Sequence, residues 1–183
     1  MDSKQLIRLP DSIISRCREH GEHVVKDYAS GLNARSRSVS SRGAESNPEL
    51  QAIAKMAECA FAMWIGVSIE LLNWGGYADP GWDVKLNRLR FDVKNTLMRN
   101  RLLIWPLNKS DFYDAKQFDV MVLVKQAVPE FLVHKWISKK DFKTGRLVAP
   151  DDGYLDPGTW YMDSEKLYDM VDLWGYFKLM GWR

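Results

Sequence analysis

The chain of 183 residues suits one compact domain with its own core and is short for two. An apolar content of 46% and a charged content of 27% exclude a disordered or collagen-like polymer, and no run nears the roughly 18 apolar residues of a membrane-spanning helix. A net charge of +2 does not announce a nucleic-acid binder, so a phosphate footprint must come from local clusters of Lys and Arg.

The opening MDSKQLIRLPDSIISR lacks the cationic run, apolar stretch and small-residue cleavage site of a secretory signal, and a cytoplasmic protein is expected. Residues 11–30 read as a first helix: Asp11 and Ser12 cap it, and Ile13, Ile14, Cys17, Val24 and Tyr28 recur at helical spacing. Gly31 ends it, and Gly21 is the discordant residue within it. The stretch 33–47 (NARSRSVSSRGAESN) reads as a flexible basic loop carrying Arg35, Arg37 and Arg42. A second helix is expected at 48–71, with Asn47 as cap, Pro48 in the first turn, and an apolar stripe of Ile53, Met56, Ala57, Ala60, Phe61 and Trp64. Cys17 and Cys59 fall in different helices and read as reduced thiols. NWGGYADPG then breaks all periodicity, and strands are expected at 82–86 and 89–96. QFDVMVLVK reads as a strand covered on both faces and EFLVHKWIS as the next strand. KKDF reads as a turn or short helix, 150–158 as a loop, and 164–174 as a final helix.

If Asn87 and Arg88 form the hairpin turn, Leu86 pairs with Leu89, Lys85 with Arg90, Val84 with Phe91 and Asp83 with Asp92. Alternation then sorts Trp82, Val84, Leu86, Leu89, Phe91 and Val93 onto a core face and Asp83, Lys85, Arg90, Asp92 and Lys94 onto the other. Asn-Arg is not a favoured two-residue turn, so a longer loop is the alternative. In this register two carboxylates stand roughly 5 Å apart at Cβ, which repulsion disfavours without a counter-charge. A hard divalent cation would supply one: magnesium takes oxygen ligands, keeps several waters, and often uses one or two carboxylates while phosphate oxygens fill other positions. Lys94, two residues beyond Asp92, shares its face, where its ammonium can orient or deprotonate a water or stabilise charge on a phosphate. The plainer alternative is a solvated strand face on which Lys85, Arg90 and Lys94 neutralise two surface aspartates.

With the upstream helix and downstream strands included, residues 47–143 resemble the PD-(D/E)XK superfamily, the restriction-endonuclease-like fold. The family order is a helix bearing a glutamate, a strand bearing the first aspartate, a strand bearing Asp/Glu-x-Lys, then further strands of one mixed sheet. KMAECAFAMWIG, GWDVKL and RFDVKNT stand in that order. The resemblance implies an α/β fold, a restriction-endonuclease-like mixed β-sheet flanked by helices, in a single nuclease-like domain over 1–183. It implies Asp83 and Asp92 as metal ligands, the Val93 carbonyl as a further ligand, Lys94 as the catalytic lysine, and Glu58 as the helix carboxylate that reaches the metal or its water. Magnesium, replaceable by manganese, is the implied cofactor and DNA the implied partner, with no membrane association and a homodimer among the allowed assemblies. The implied activity is phosphodiester hydrolysis by an endonuclease of restriction, phage or mobile-element type. A noncatalytic DNA-binding or assembly protein on the same fold is the rival. Trp82 stands where the family's name expects proline, and Asp79 before Pro80 competes as first carboxylate. Asp83 is preferred because Pro80 and Gly81 interrupt the strand. No long helix is evident between the DVK strand and the next one.

Arg35, Arg37, Arg42, Lys85 and Arg90, with Arg99 and Arg101, are candidate phosphate contacts that would position a duplex without reading bases. Cys17, His20 and His23 recur every three residues but have no fourth ligand at metal spacing, and HExxH, GxxxxGK[ST] and GxGxxG are all absent. His134, in an apolar strand, reads as a structural histidine, and Tyr154, Trp160, Tyr161 and Trp174 read as core.

Overall fold

The computed structural model describes residues 6–29, 47–74, 81–97, 102–105, 116–148, 160–179 and 181. In chain order these are β1 (Leu6–Arg8), α1 (Asp11–Ala29), α2 (Pro48–Ile65), β2 (Val84–Leu86), β3 (Leu89–Leu97), β4 (Leu102–Trp105), β5 (Val120–Ala127), β6 (Glu130–Ser138), α3 (Lys139–Gly145), β7 (Leu147–Val148), β8 (Trp160–Asp163), β9 (Tyr168–Asp169) and α4 (Met170–Leu179). Arg35, Arg37 and Arg42 of the expected basic loop lie outside the described residues, as do Asp79, Pro80, Arg99, Arg101 and Tyr154.

The fold is α/β: a mixed sheet packed against four helices, as expected. Its strands run in the order β1-β6-β5-β3-β2, with β9 also paired to β6. The β3/β5 pair is parallel, whereas the pairings of β2 with β3 and of β6 with β5, β1 and β9 are antiparallel. The crossover that a parallel pair requires contains β4, which joins β8 and β7 in a second, three-stranded sheet.

Alternation along β5 explains why the sheet needs two covers. Val120, Val122 and Val124 belong to the main core with α1, α2 and α4, while Met121 and Leu123 belong to a second cluster with Phe118, Ile137, Phe142, Trp160, Met162 and Leu167. Trp136 of β6 packs in the main core against Tyr168 and Tyr176, with ring centroids 4.9 and 5.0 Å away. Trp160 is buried in the second cluster, and Trp174 packs against the main core.

Helix α2 starts as its sequence predicts: the Asn47 side chain accepts the amides of Glu49 and Leu50, and Pro48 occupies the first turn. It ends at Ile65 and not at residue 71, because Gly66 adopts a left-handed conformation (φ 79°) and the Val67 amide closes back on the Ala62 carbonyl. A short 3-10 turn at Ile69–Leu71 takes up the rest. The final helix is displaced for a similar reason. Asp163 caps a 3-10 turn at Ser164–Lys166, β9 follows, and α4 begins only at Met170. The unforeseen strands β1, β4, β7, β8 and β9 are two to four residues long, too short to show a period of their own.

Gly21, discordant in the sequence pattern, has a packing role. Helix α1 runs through it unbroken, and a Cβ built there would lie 2.2 Å from the Pro48 carbonyl oxygen and 2.9 Å from the Ala52 amide nitrogen. Gly21 is therefore where α1 touches the first turn of α2. On a free helix Gly→Ala stabilises by about 1 kcal/mol. Here the sign reverses: Gly21→Ala is expected to lower the unfolding free energy by about 1–3 kcal/mol, the usual range for overpacking against unyielding atoms. Equilibrium urea denaturation of the two proteins measures it.

Candidate active site

The hairpin forms in the expected register, with Val84 opposite Phe91, Lys85 opposite Arg90 and Leu86 opposite Leu89. Its turn is the two-residue Asn87–Arg88 connection, made possible by a left-handed Asn87 (φ 55°), a conformation asparagine tolerates better than most residues. The register slips at the open end. The Asp83 amide donates to the Phe91 carbonyl at 2.8 Å, one residue out of step with the ladder, so Asp83 is not part of a regular pair with Asp92. Such a slip exchanges the faces of the residues beyond it. Trp82, expected in the main core with Val84, accordingly packs against the second cluster. Its ring there lies 5.7 Å from Lys85 Nζ and 6.0 Å from Arg90 Cζ.

Phe91 and Val93 of β3 sit in the main core, so alternation turns Asp92 and Lys94 to the opposite face, level with Met121 and Leu123 of β5. Asp92 is completely buried. A carboxylate there is tolerable only beside cations. Lys94 Nζ lies 2.6 Å from Oδ2, and Lys116 Nζ lies 3.2 Å from Oδ1. Burial works to raise the Asp92 pKa, but the two ammonium groups outweigh it and hold the carboxyl below its ordinary value.

Asp83 links this group to α2. Its Oδ2 accepts the Val93 amide at 2.6 Å. Burial and the Asp92 charge push its pKa up, against the opposing pull of Lys116 and Lys94. Glu58, on α2, is pushed up to about 8, first by burial, then by the Asp83 charge, with a smaller contribution from Asp92. Its carboxylate is ion-paired with Lys55, one turn earlier on the same helix, and Lys55 also donates to the Asn73 carbonyl at 2.9 Å. Burial lowers the Lys55 pKa, but the Glu58 carboxylate raises it further, so the net shift is upward. The two partners pull against each other, since the neutral Glu58 that burial favours would remove the charge sustaining Lys55. The Lys55 ammonium can donate to the Glu58 carboxyl in either state, so the contact survives protonation of Glu58.

The structure thus brings Asp92, Lys94 and Asp83 together with Lys116, and sets Glu58 within electrostatic reach of both aspartates but in contact with Lys55. Lys116 carried no sequence signal, because it reaches Asp92 only through the parallel pairing of β3 with β5. Lys55 could have been found from its three-residue spacing to Glu58. Arg90 is engaged by Asp119 through Nε and Nη2, both at 3.1 Å, and Lys85 is exposed. Cys17 faces Cys59, with sulfur atoms 3.8 Å apart and both thiols free. His20 lies 3.2 Å from the Trp74 carbonyl and is pushed down to about 4, chiefly by burial.

Among the described residues, no group of three or more His, Cys, Asp and Glu side chains is placed to hold a metal ion. Magnesium asks for less, because one or two protein carboxylates suffice when waters and phosphate fill the remaining positions. Asp83 and Asp92 supply hard oxygen donors of that kind. Each Asp92 oxygen faces one ammonium group, Oδ2 that of Lys94 at 2.6 Å and Oδ1 that of Lys116 at 3.2 Å, so a cation would bind there in exchange for one of these contacts. In donor chemistry the pair fits the cation. Compared with known proteins, the chain matches no protein-family model, no curated protein and no solved structure.

Glu58 makes the pH dependence of stability testable. Its folded-state pKa lies above the ordinary 4.5, so its contribution to stability is fully present below that value and is lost as pH rises through about 8. Glu58→Gln removes the ionisation. Between pH 5 and 9 the urea midpoint of the variant is expected to fall less steeply than that of the wild type; parallel curves would show that Glu58 ionises without penalty.

Proposed function

We propose that the chain is a metal-dependent nuclease that hydrolyses phosphodiester bonds in DNA, an endonuclease of the restriction, phage or mobile-element kind using magnesium or manganese. The observation that carries this reading is a fully buried Asp92 with Lys94 beside it on the same strand face and Asp83 near enough for the Asp92 charge to raise its pKa. A solvated strand face, the plainer alternative, does not bury a carboxylate completely.

In this reading Asp92 and Asp83 hold the cation, and the Val93 carbonyl is available as a further oxygen. When bound, magnesium lowers the pKa of a water and neutralises charge that builds on the phosphate. Lys94, oriented by Asp92, directs its ammonium at the attacking water or a phosphate oxygen, where a fixed positive charge costs no reorganisation during reaction. Glu58, carried on the rigid α2 and steadied by Lys55, orients water from the helix side. Lys85 and Arg90, with Arg35, Arg37 and Arg42, contribute charge toward the sugar-phosphate backbone and read no bases.

A second reading has one observation in its favour. Both Asp92 oxygens already face ammonium groups, so the carboxylate is balanced without a metal, as a noncatalytic DNA-binding or assembly protein on the same fold would require. Cleavage assays separate the two. With magnesium or manganese the wild type should cut single-stranded, duplex or branched DNA, and chelation should abolish cutting. Lys94→Ala and Asp92→Asn should each reduce the rate by about 10²–10⁴-fold, the range for losing one acid-base or electrostatic group. DNA binding without cleavage supports the second reading, and cleavage untouched by both substitutions removes Asp92 and Lys94 as the reaction centre.

A further inference from the structure

We propose that Lys116 is the resident counter-ion of the carboxylate site, and that its ammonium and a divalent cation compete for Asp92. This rests on the metal-site reading above and adds a residue the family pattern does not contain.

Charge balance is the first reason. The described residues set three ammonium groups, those of Lys55, Lys94 and Lys116, against the carboxyls of Glu58, Asp83 and Asp92. A divalent cation binding the fully buried Asp92, whose two oxygens already face two ammonium groups, would gather excess positive charge in a medium of low dielectric. A positive group must therefore withdraw. Of the two ammonium groups on Asp92, Lys116 makes the longer contact, 3.2 Å against 2.6 Å for Lys94, and so holds the weaker claim.

Construction is the second reason. The main chain at Lys116 is fixed while its side chain is a flexible stem. Its carbonyl accepts Lys139 Nζ at 2.6 Å, and three residues on, the Asp119 amide donates to the Arg90 carbonyl at 2.8 Å. Gly81, just before the hairpin, lies so close that a Cβ there would stand 2.8 Å from the Gln117 amide nitrogen and 3.4 Å from Lys116 Cα, and its φ of +83° disfavours any side chain. The ammonium can leave Asp92 by rotating its four-carbon stem, with no movement of β3 or β5. Once displaced it stays tethered beside the site, where its charge meets an incoming phosphate.

Manganese alone is the probe. Calorimetric titration of wild type, Lys116→Met and Lys116→Gln should show affinity rising about tenfold or more in both variants, the glutamine keeping a neutral hydrogen-bond donor toward Asp92 should the methionine protein fail to fold. In the wild type, manganese should increase acylation of the Lys116 amine by a water-soluble amine reagent, read by peptide mass spectrometry. A merely structural lysine would not respond. Equal or weaker manganese binding in the variants, with Lys116 reactivity unmoved, overturns the proposal and leaves the metal site standing. No manganese binding in any of the three proteins overturns both.

Discussion

Asp92 places a carboxylate inside a sheet, with packed layers on both faces and no exposure to water. The cost of desolvating that charge is several kcal/mol unless cations stand against it. The arrangement nearby follows from this demand: Lys94 from the same strand, Lys116 from the connection into β5, and the parallel β3/β5 pairing that brings the second lysine within reach. Removing either lysine takes the ammonium group from one carboxylate oxygen. Removing the carboxylate leaves two ammonium groups repelling one another.

The same demand explains the split character of the site. Asp92, Lys94 and Lys116 occupy the face covered by the second cluster, whereas Glu58 and Lys55 belong to α2, which covers the main core. Asp83 connects them because the hairpin slips by one residue at its open end, which frees its carboxylate to accept the Val93 amide while its charge acts on Glu58. A regular continuation of the ladder would have set the two aspartates side by side without an amide donor between them. The slip converts bare repulsion into a linked chain of carboxyls, each steadied by a different partner.

Much of this was legible in the sequence, for physical reasons that can be named. The hairpin register followed from alternation, since one residue of error would have turned Val84, Phe91 and Val93 to the wrong side. The start of α2 followed from the Asn47-Pro48-Glu49 chemistry, and β5 from a β-branched run that only two covered faces can explain. What could not be read depended on contacts distant in sequence. Trp82 leaves its expected face because alternation says nothing of where a ladder stops, and α2 ends early because the left-handed Gly66 halts it although apolar residues continue through Val67, Leu71 and Leu72. The short strands of the second sheet take their conformation from one another and have no period to show. Lys116 is one lysine in a polar connection until β5 is known to lie parallel to β3.

The most direct measurement is a crystal structure of the protein soaked with manganese, read by anomalous scattering. The account predicts an anomalous peak shared by Asp83 and Asp92, with the Lys116 ammonium no longer on Asp92. An empty map at saturating manganese, with Lys94 and Lys116 both still paired to Asp92, would contradict it and leave those charges a purely structural role.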